Sequence, residues 1–159
     1  MTIQNPVEKF YTAFARRDAE TMSAAYADHA SFSDPVFPSL NAVEVRGMWR
    51  MLCSRAQDFR LEFVSKQLGP QHFRVEWQAW YTFAKTGRPV HNLVTADIRL
   101  EDGKILSHRD EFDVWRWSRQ ALGAAGWLLG WSPFLEAKVR DEASKALQLF
   151  LQQGSKRQK

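Results

Sequence analysis

Along the first third of the chain, apolar positions recur at steps of three and four. Val7, Phe10, Tyr11 and Phe14 follow Pro6, a residue suited to a first helical turn, and predict an amphipathic helix. Asp18 is placed to cap a short second helix over 19–27. Ala30 to Asp34 reads as a brief extended segment that Pro35 and Pro38 stop from continuing. Asn41 with Glu44 three residues later has the form of a capping box, and Val45, Met48, Trp49, Leu52 and Ala56 mark the inner stripe of the helix behind it. From Phe59 to Trp117 the period changes to two, with turns expected at Gly69-Pro70, Thr86-Gly87 and Asp102-Gly103. This stretch predicts four antiparallel strands in meander order, forming one curved sheet. A last helix from about Pro133 carries Leu135, Val139, Ala143, Ala146, Leu147 and Phe150 on one face. The pattern gives an α+β fold in one domain over 1–159, with 118–153 a C-terminal helical extension and 154–159 a disordered basic tail.

In a strand, alternate residues share a face, so a polar side chain on an apolar face needs a hydrogen-bond partner, a counter-charge or a ligand. Few positions meet this test. The last strand presents Leu106, His108, Asp110, Phe112 and Val114 on one face, an ionisable pair between apolar ends. The strand before it reads Val90, Asn92, Val94, Ala96, Ile98 and Leu100, interrupted by Asn92, whose amide both donates and accepts. The second strand of the meander offers Phe73, Val75, Trp77, Ala79, Tyr81 and Phe83, an apolar wall with one hydroxyl. Asp34 stands at a strand end beside Pro35. Each position has two open readings. His108 and Asp110 form a structural or a catalytic pair, Asn92 is structural or orients a substrate, and Asp34 closes a turn on its own backbone or faces a pocket. Tyr11, Trp49, Trp77, Tyr81 and Phe112 are core residues or the walls of a ligand cavity.

Composition narrows the function. With 159 residues, 45% hydrophobic and 25% charged, the chain is an ordinary globular domain, and its seven tryptophans suit a cavity wall. The formal charge of +4 comes partly from Lys156, Arg157 and Lys159, and the other basic residues alternate with acidic ones, so no nucleic-acid partner is expected. Cys53 alone supports neither a disulfide within the chain nor a thiolate metal site. His29, His72, His91 and His108 lack metal-ligand spacing, and the glycines sit in hairpin turns and a late apolar stretch rather than in a phosphate cradle. No metal or cofactor is expected. The first residues show no signal peptide, and the expected location is cytoplasmic. The apolar run 121–131 is shorter than the ~20 residues that span a bilayer. Its Trp127, Leu128, Leu129 and Trp131, with the basic tail, leave a membrane-surface contact open against a lid or dimer contact. Trp80 and Trp115 on the polar sheet faces lead us to expect a homodimer.

The element order resembles the SnoaL-like and nuclear-transport-factor-2-like superfamily, whose cone-shaped fold wraps a curved sheet with helices. Val7 to Val36 is similar to the opening of the bacterial ketosteroid isomerases, sharing Asp18, Asp28 and Asp34-Pro35-Val36. The resemblance implies a general base at Asp34, in an enzyme that is also a standard example of pKa tuning. Phe10 stands where those enzymes carry the oxyanion-hole tyrosine, and Ala96 where they carry the protonated aspartic acid. Gly103-Lys104-Ile105, Arg109-Asp110 and Phe112-Asp113 resemble the stretch of limonene epoxide hydrolase that holds one of its catalytic aspartates, which falls on Asp110. The tyrosine and asparagine that help hold its water fall on Phe32 and Asp34. The implied function is a cofactor-free isomerase, cyclase or hydrolase that holds a small apolar molecule and uses Asp34, His108 and Asp110. The alternative is a non-catalytic carrier or accessory protein for a lipid or polyketide-like ligand.

Overall fold

Helix starts along the chain are set by side chains that occupy the first free backbone N–H groups. The computed structural model describes residues 4–129 and 132–157. Asn5 accepts from Glu8 N at 2.9 Å and opens α1 (Pro6–Ala15), and Asp18 accepts from Thr21 N to open α2 (Ala19–Ala24). β1 (Tyr26–Ser33) follows, beginning earlier than the residue pattern indicates, and β2 (Leu40–Asn41) is a short edge strand. The capping box at Asn41 and Glu44 forms as expected and starts α3 (Ala42–Arg55). Val45, Met48 and Trp49 face inward, but Leu52 is 41% exposed. Met51 and Cys53 are buried in its place, Cys53 against Met22 of α2.

The meander comprises β3 (Gln57–Gly69), β4 (His72–Phe83), β5 (Arg88–Glu101) and β6 (Lys104–Glu111). All three expected turns occur, and Asp102 and Gly103 both take positive φ (50° and 76°), the backbone of a tight hairpin turn. The sheet order is β2-β1-β6-β5-β4-β3. The meander pairs are antiparallel, whereas β1 runs parallel to β6, so the cone is lined by a mixed sheet.

The last strand ends at Glu111, not near Trp117. Asp113 accepts from Arg116 N and caps α4 (Val114–Leu122), so Val114 and Trp115 are helical, and Trp115 does not belong to the sheet face. β6 pairs with β5 only as far as Thr95, and α4 lies against the remaining half of β5. α5 (Ala124–Leu129) and α6 (Pro133–Arg157) complete the chain. Residues 154–157, expected as a disordered tail, continue α6. Extending an existing helix costs no new nucleation, and Lys156 and Arg157 suit its negative C-terminal end. Trp131 and Lys159, part of the apolar-stretch and basic-tail readings, lie outside the described residues. Among the described residues no helix is long and apolar enough to cross a membrane.

Side chains fill the cone: Phe10, Tyr11, Phe14, Tyr26, Phe32, Met48, Trp49, Val75, Ala96, Ile98 and Ile105 belong to one buried cluster. α6 closes on α3, where Leu147 and Leu151 lie against Gly47. At Gly126 an added Cβ would strike the Ser118 carbonyl of α4, so α4 and α5 meet at backbone distance. Gly126→Ala is expected to cost about 1–3 kcal/mol in urea unfolding through overpacking. Gly154→Ala, in open space on α6, is expected to be neutral or to stabilise by up to about 1 kcal/mol. Equal effects at the two glycines would contradict the close α4–α5 contact.

Candidate active site

Parallel pairing of β1 with β6 brings together residues far apart in sequence. Phe32 is paired with His108 and Ser33 with Arg109, so the next residue on each strand sets Asp34 beside Asp110. On the other side of β6, Ala96 lies opposite Asp110 and Ile98 opposite His108. The position that carries an acid in the ketosteroid isomerases is thus a small residue directly across the ladder from the aspartate this chain has.

His108 is 2% exposed and Asp110 4%. Phe10, Tyr26, Phe32 and Trp49 surround the imidazole, edge-on from Phe10 and Phe32 and stacked from Tyr26 and Trp49. In such surroundings every polar atom needs a partner. His108 Nε2 lies 2.8 Å from Asp110 Oδ1, and Nδ1 lies 2.8 Å from the Tyr26 hydroxyl, which also accepts from Trp49 Nε1 at 2.8 Å. Burial pushes the Tyr26 phenol well above its ordinary value, against a smaller lowering by Trp49, so the hydroxyl keeps its proton. Only one arrangement satisfies all four groups. Trp49 donates to Tyr26, Tyr26 donates to His108 Nδ1, and the neutral imidazole donates from Nε2 to Asp110.

Asp34 is anchored differently. Its Oδ1 accepts from Val36 N at 2.7 Å and Phe37 N at 2.5 Å, while its own N–H donates to Phe37 O. The turn-type bond and the pocket-facing position are therefore both present in one residue. Burial, opposed by the Phe37 N–H and helped by the nearby Asp110 charge, raises its carboxyl to about 6. Each aspartate thus has Oδ1 committed. Among the described residues neither Oδ2 has a hydrogen-bond partner, and both aspartates line one cleft. Ser33, Asp34, Pro35, Arg109, Asp110, Glu111 and Phe112 line this cleft, whose volume is about 400 Å³. Its walls are more polar than the expected apolar cone, because aromatic side chains occupy the interior and the cleft lies at the strand ends.

The other predicted residues separate. Phe112 lines the cleft, although it lies beyond the end of β6. Trp49 is buried and serves the Tyr26 hydroxyl. Tyr81 accepts from Trp117 Nε1 at 2.9 Å, near the α4 end of the sheet. Asn92 faces inward opposite Ala79 but does not line the cleft. Tyr11 and Trp77 have rings 6.4 Å apart, and the Tyr11 hydroxyl and Trp77 Nε1 are buried with no partner among the described residues. Burial, with Asp110 and Tyr26 nearby, holds the Tyr11 phenol well above its ordinary value, so it remains a donor. Tyr26 itself escaped the sequence reading. The helix expected over 19–27 ends at Ala24, so Tyr26 opens β1 instead, and a register irregularity between Tyr26 and Ser31 further obscures its inward direction.

Among the described residues no cluster of His, Cys, Asp and Glu has the form of a metal site. No curated protein matches the chain. Solved structures do share the fold. A hypothetical protein with a ketosteroid isomerase-like fold from Catenulispora acidiphila DSM 44928, in complex with trimethylamine, aligns over 79% of this chain and 98% of its own with TM-score 0.67 and 12% identity. An LEH-like epoxide hydrolase of M. tuberculosis aligns over 78% and 92% (TM-score 0.59, 20% identity). A candidate polyketide cyclase from Silicibacter sp. TM1040 aligns over 72% and 91% (TM-score 0.65, 14% identity). At these identities the likeness is one of fold. The sequence match is to the SnoaL-like domain over residues 7–108, which carries β1, α3 and β6 as far as His108, and the chain belongs to that family.

Proposed function

We propose that this protein is a cofactor-free acid–base enzyme that moves a proton on a small molecule seated between Asp34 and Asp110. The observation that carries this reading is the pairing of two aspartates on one cleft, each with one oxygen hydrogen-bonded and the other without a partner among the described residues, in contrasting environments. Two carboxylates this close favour sharing one proton. Asp34, raised to about 6, is the one that holds it. Asp110 accepts from His108 and serves as base, taking a proton from a carbon next to a carbonyl or from a water. The electron pair left behind passes to the carbonyl oxygen, or the activated water attacks a strained ring, while Asp34 supplies a proton to the receiving atom.

This division reverses the role of Asp34 that the ketosteroid isomerase resemblance implies, and the pH profile tells the two apart. An acid at Asp34 gives turnover that falls as pH rises through about 6, whereas a base gives turnover that rises there. The relatives named as an epoxide hydrolase and a candidate polyketide cyclase support water addition and carbon-centred proton transfer as the two chemistries to test first. The carrier alternative has less support. A cleft of about 400 Å³ outside an interior filled by side chains suits a small substrate better than a lipid chain. A homodimer and a cytoplasmic location remain part of the proposal.

We expect this protein to catalyse hydrogen–deuterium exchange next to the carbonyl of small cyclic ketones, read by NMR in D2O, or uptake of ¹⁸O from water into small epoxides, read by mass spectrometry. Asp110→Asn should lower the active rate by about 10²-fold or more. Asp34→Asn should lower it too and abolish the decline above pH 6. Unchanged turnover in both variants would remove the assignment.

The same carboxyl has a stability signature. Its folded value is above the ordinary 3.8, so the folded state binds more protons between about 4 and 6, and stability falls as pH rises through that window. Asn at this position keeps an oxygen for the Val36 and Phe37 N–H groups and carries no charge. Asp34→Asn should therefore match the wild type below about pH 4 and exceed it by on the order of 1–3 kcal/mol near pH 8 in denaturant melts. A difference independent of pH would show that the carboxyl is not held above its ordinary value.

A further inference from the structure

A second cavity of about 320 Å³ lies away from the two aspartates, lined by Arg88, Pro89, Arg116, Arg119, Gln120 and Trp127. It is built from the start of β5 together with α4 and α5, and the two helices lie beyond the part of the chain that matches the family domain. None of its arginines forms an ion pair among the described residues. The sequence explains why: no Asp or Glu occurs from residue 114 to 129, and none from 84 to 96. Asp113, the acid next to Arg116, spends Oδ1 capping the helix.

Like charges do not gather without fixed supports. Arg88 donates from Nε to Gln120 O at 2.8 Å. The Arg119 guanidinium lies 4.1 Å from the Trp115 ring centre and 4.7 Å from that of Trp127, held between two indoles that meet edge to face. Its Nε is buried and has no partner among the described residues. Arg116 has no side-chain hydrogen bond among the described residues. Gln120 is fixed by three bonds, to His91 N, His91 O and Arg116 O. The result is a group of planar donors, Arg88 and Arg119 held by the fold and Arg116 without such a support among the described residues, beside an exposed indole and a proline ring.

From this geometry we infer that the cavity binds a phosphate group carried on a small organic moiety, at a site separate from the Asp34–Asp110 cleft. Guanidinium forks match phosphoryl oxygens in pairs, and several cations suit a dianion better than a single carboxylate. The cavity has room for more than phosphate alone, and Trp127 and Pro89 provide an apolar wall for the group that bears it. The phosphate belongs to a soluble metabolite or to a lipid headgroup, with the same recognition chemistry in either case.

The probe is phenyl phosphate, titrated into the full-length protein by calorimetry, with inorganic phosphate for comparison. Saturable binding is expected, tighter for phenyl phosphate, and weakened about 10-fold in Arg116→Gln, a change equal to about 1.4 kcal/mol. Arg116 makes no side-chain bond among the described residues, so this variant should fold normally by circular dichroism. Asp110→Asn should bind as the wild type does. Co-sedimentation with phosphatidylcholine vesicles, with and without phosphatidic acid, identifies the source. Binding only with phosphatidic acid, lost in Arg116→Gln, assigns a lipid headgroup, and no vesicle binding assigns a soluble phosphate. Absence of saturable binding to both phosphates and to vesicles, or equal affinity in the wild type and Arg116→Gln, would overturn the proposal.

Discussion

Sealing an imidazole and a carboxylate inside aromatic walls is tolerable only when every polar atom is paired, and this constraint organises the rest of the molecule. The run from Trp49 through Tyr26 and His108 to Asp110 draws one group from α3, one from β1 and two from β6. It has a single direction, because indole N–H can only donate and an ionised carboxylate can only accept. A shift of β1 by one residue against β6 would turn the Tyr26 hydroxyl out of reach and set Asp34 beside a different neighbour. The network therefore favours the register that joins the two aspartates. The capping box at Asn41 serves the same end one step removed, by fixing where α3 begins and so which turn presents Trp49.

The two aspartates show how environment separates chemically identical side chains. Asp110 is held by another side chain, whose own partners lie deep in the core. Asp34 is held by backbone N–H groups of a turn, and its desolvation outweighs what those bonds return. Phe10 and Ala96 fit this division. An aromatic ring at residue 10 packs edge-on against His108, and the small Ala96 side chain leaves Asp110 unobstructed across the ladder. The positions that the resemblance matches to the hydroxyl and acid of the ketosteroid isomerases are occupied here by residues that accommodate the His108–Asp110 pair.

Much of the fold was legible because its signals are local. Periodicity, the caps at Asp18 and Asn41 and the turn at Asp102-Gly103 each depend on a few neighbouring residues, and each appears where expected. Alternation also singled out His108 and Asp110 as a polar interruption on an apolar face. Pairings across the chain were not legible. Nothing near Tyr26 shows that its hydroxyl meets a histidine 82 residues away, and the irregular register of β1 hides its inward direction. The end of β6 was placed too late because Phe112 and Val114 continue the alternation, while the deciding signal, Asp113 as an N-cap, competes with a strand reading until the extent of β5 pairing is known. Filling of the cone was hidden for a related reason: the apolar residues that suit a cavity wall are the same residues that pack a core.

The C-terminal extension answers a problem that the meander leaves open. β5 is longer than β6, so its first half has backbone groups with no strand on that side. A helix cannot continue a ladder, since its own N–H and C=O groups are already bonded internally. Gln120 resolves this by acting as a detached peptide group: its side-chain oxygen accepts from His91 N at 2.7 Å and its amide donates to His91 O at 3.1 Å. Arg88 and Thr86 reach the α4 carbonyls of Gln120 and Ala121 in the same way. α6 then ties this end of the molecule to the other, through Lys85 to Glu142 at the hairpin and through Arg140 to the Pro35 carbonyl beside Asp34. The turn that positions one aspartate is thus linked by a hydrogen bond to the segment beyond the family domain.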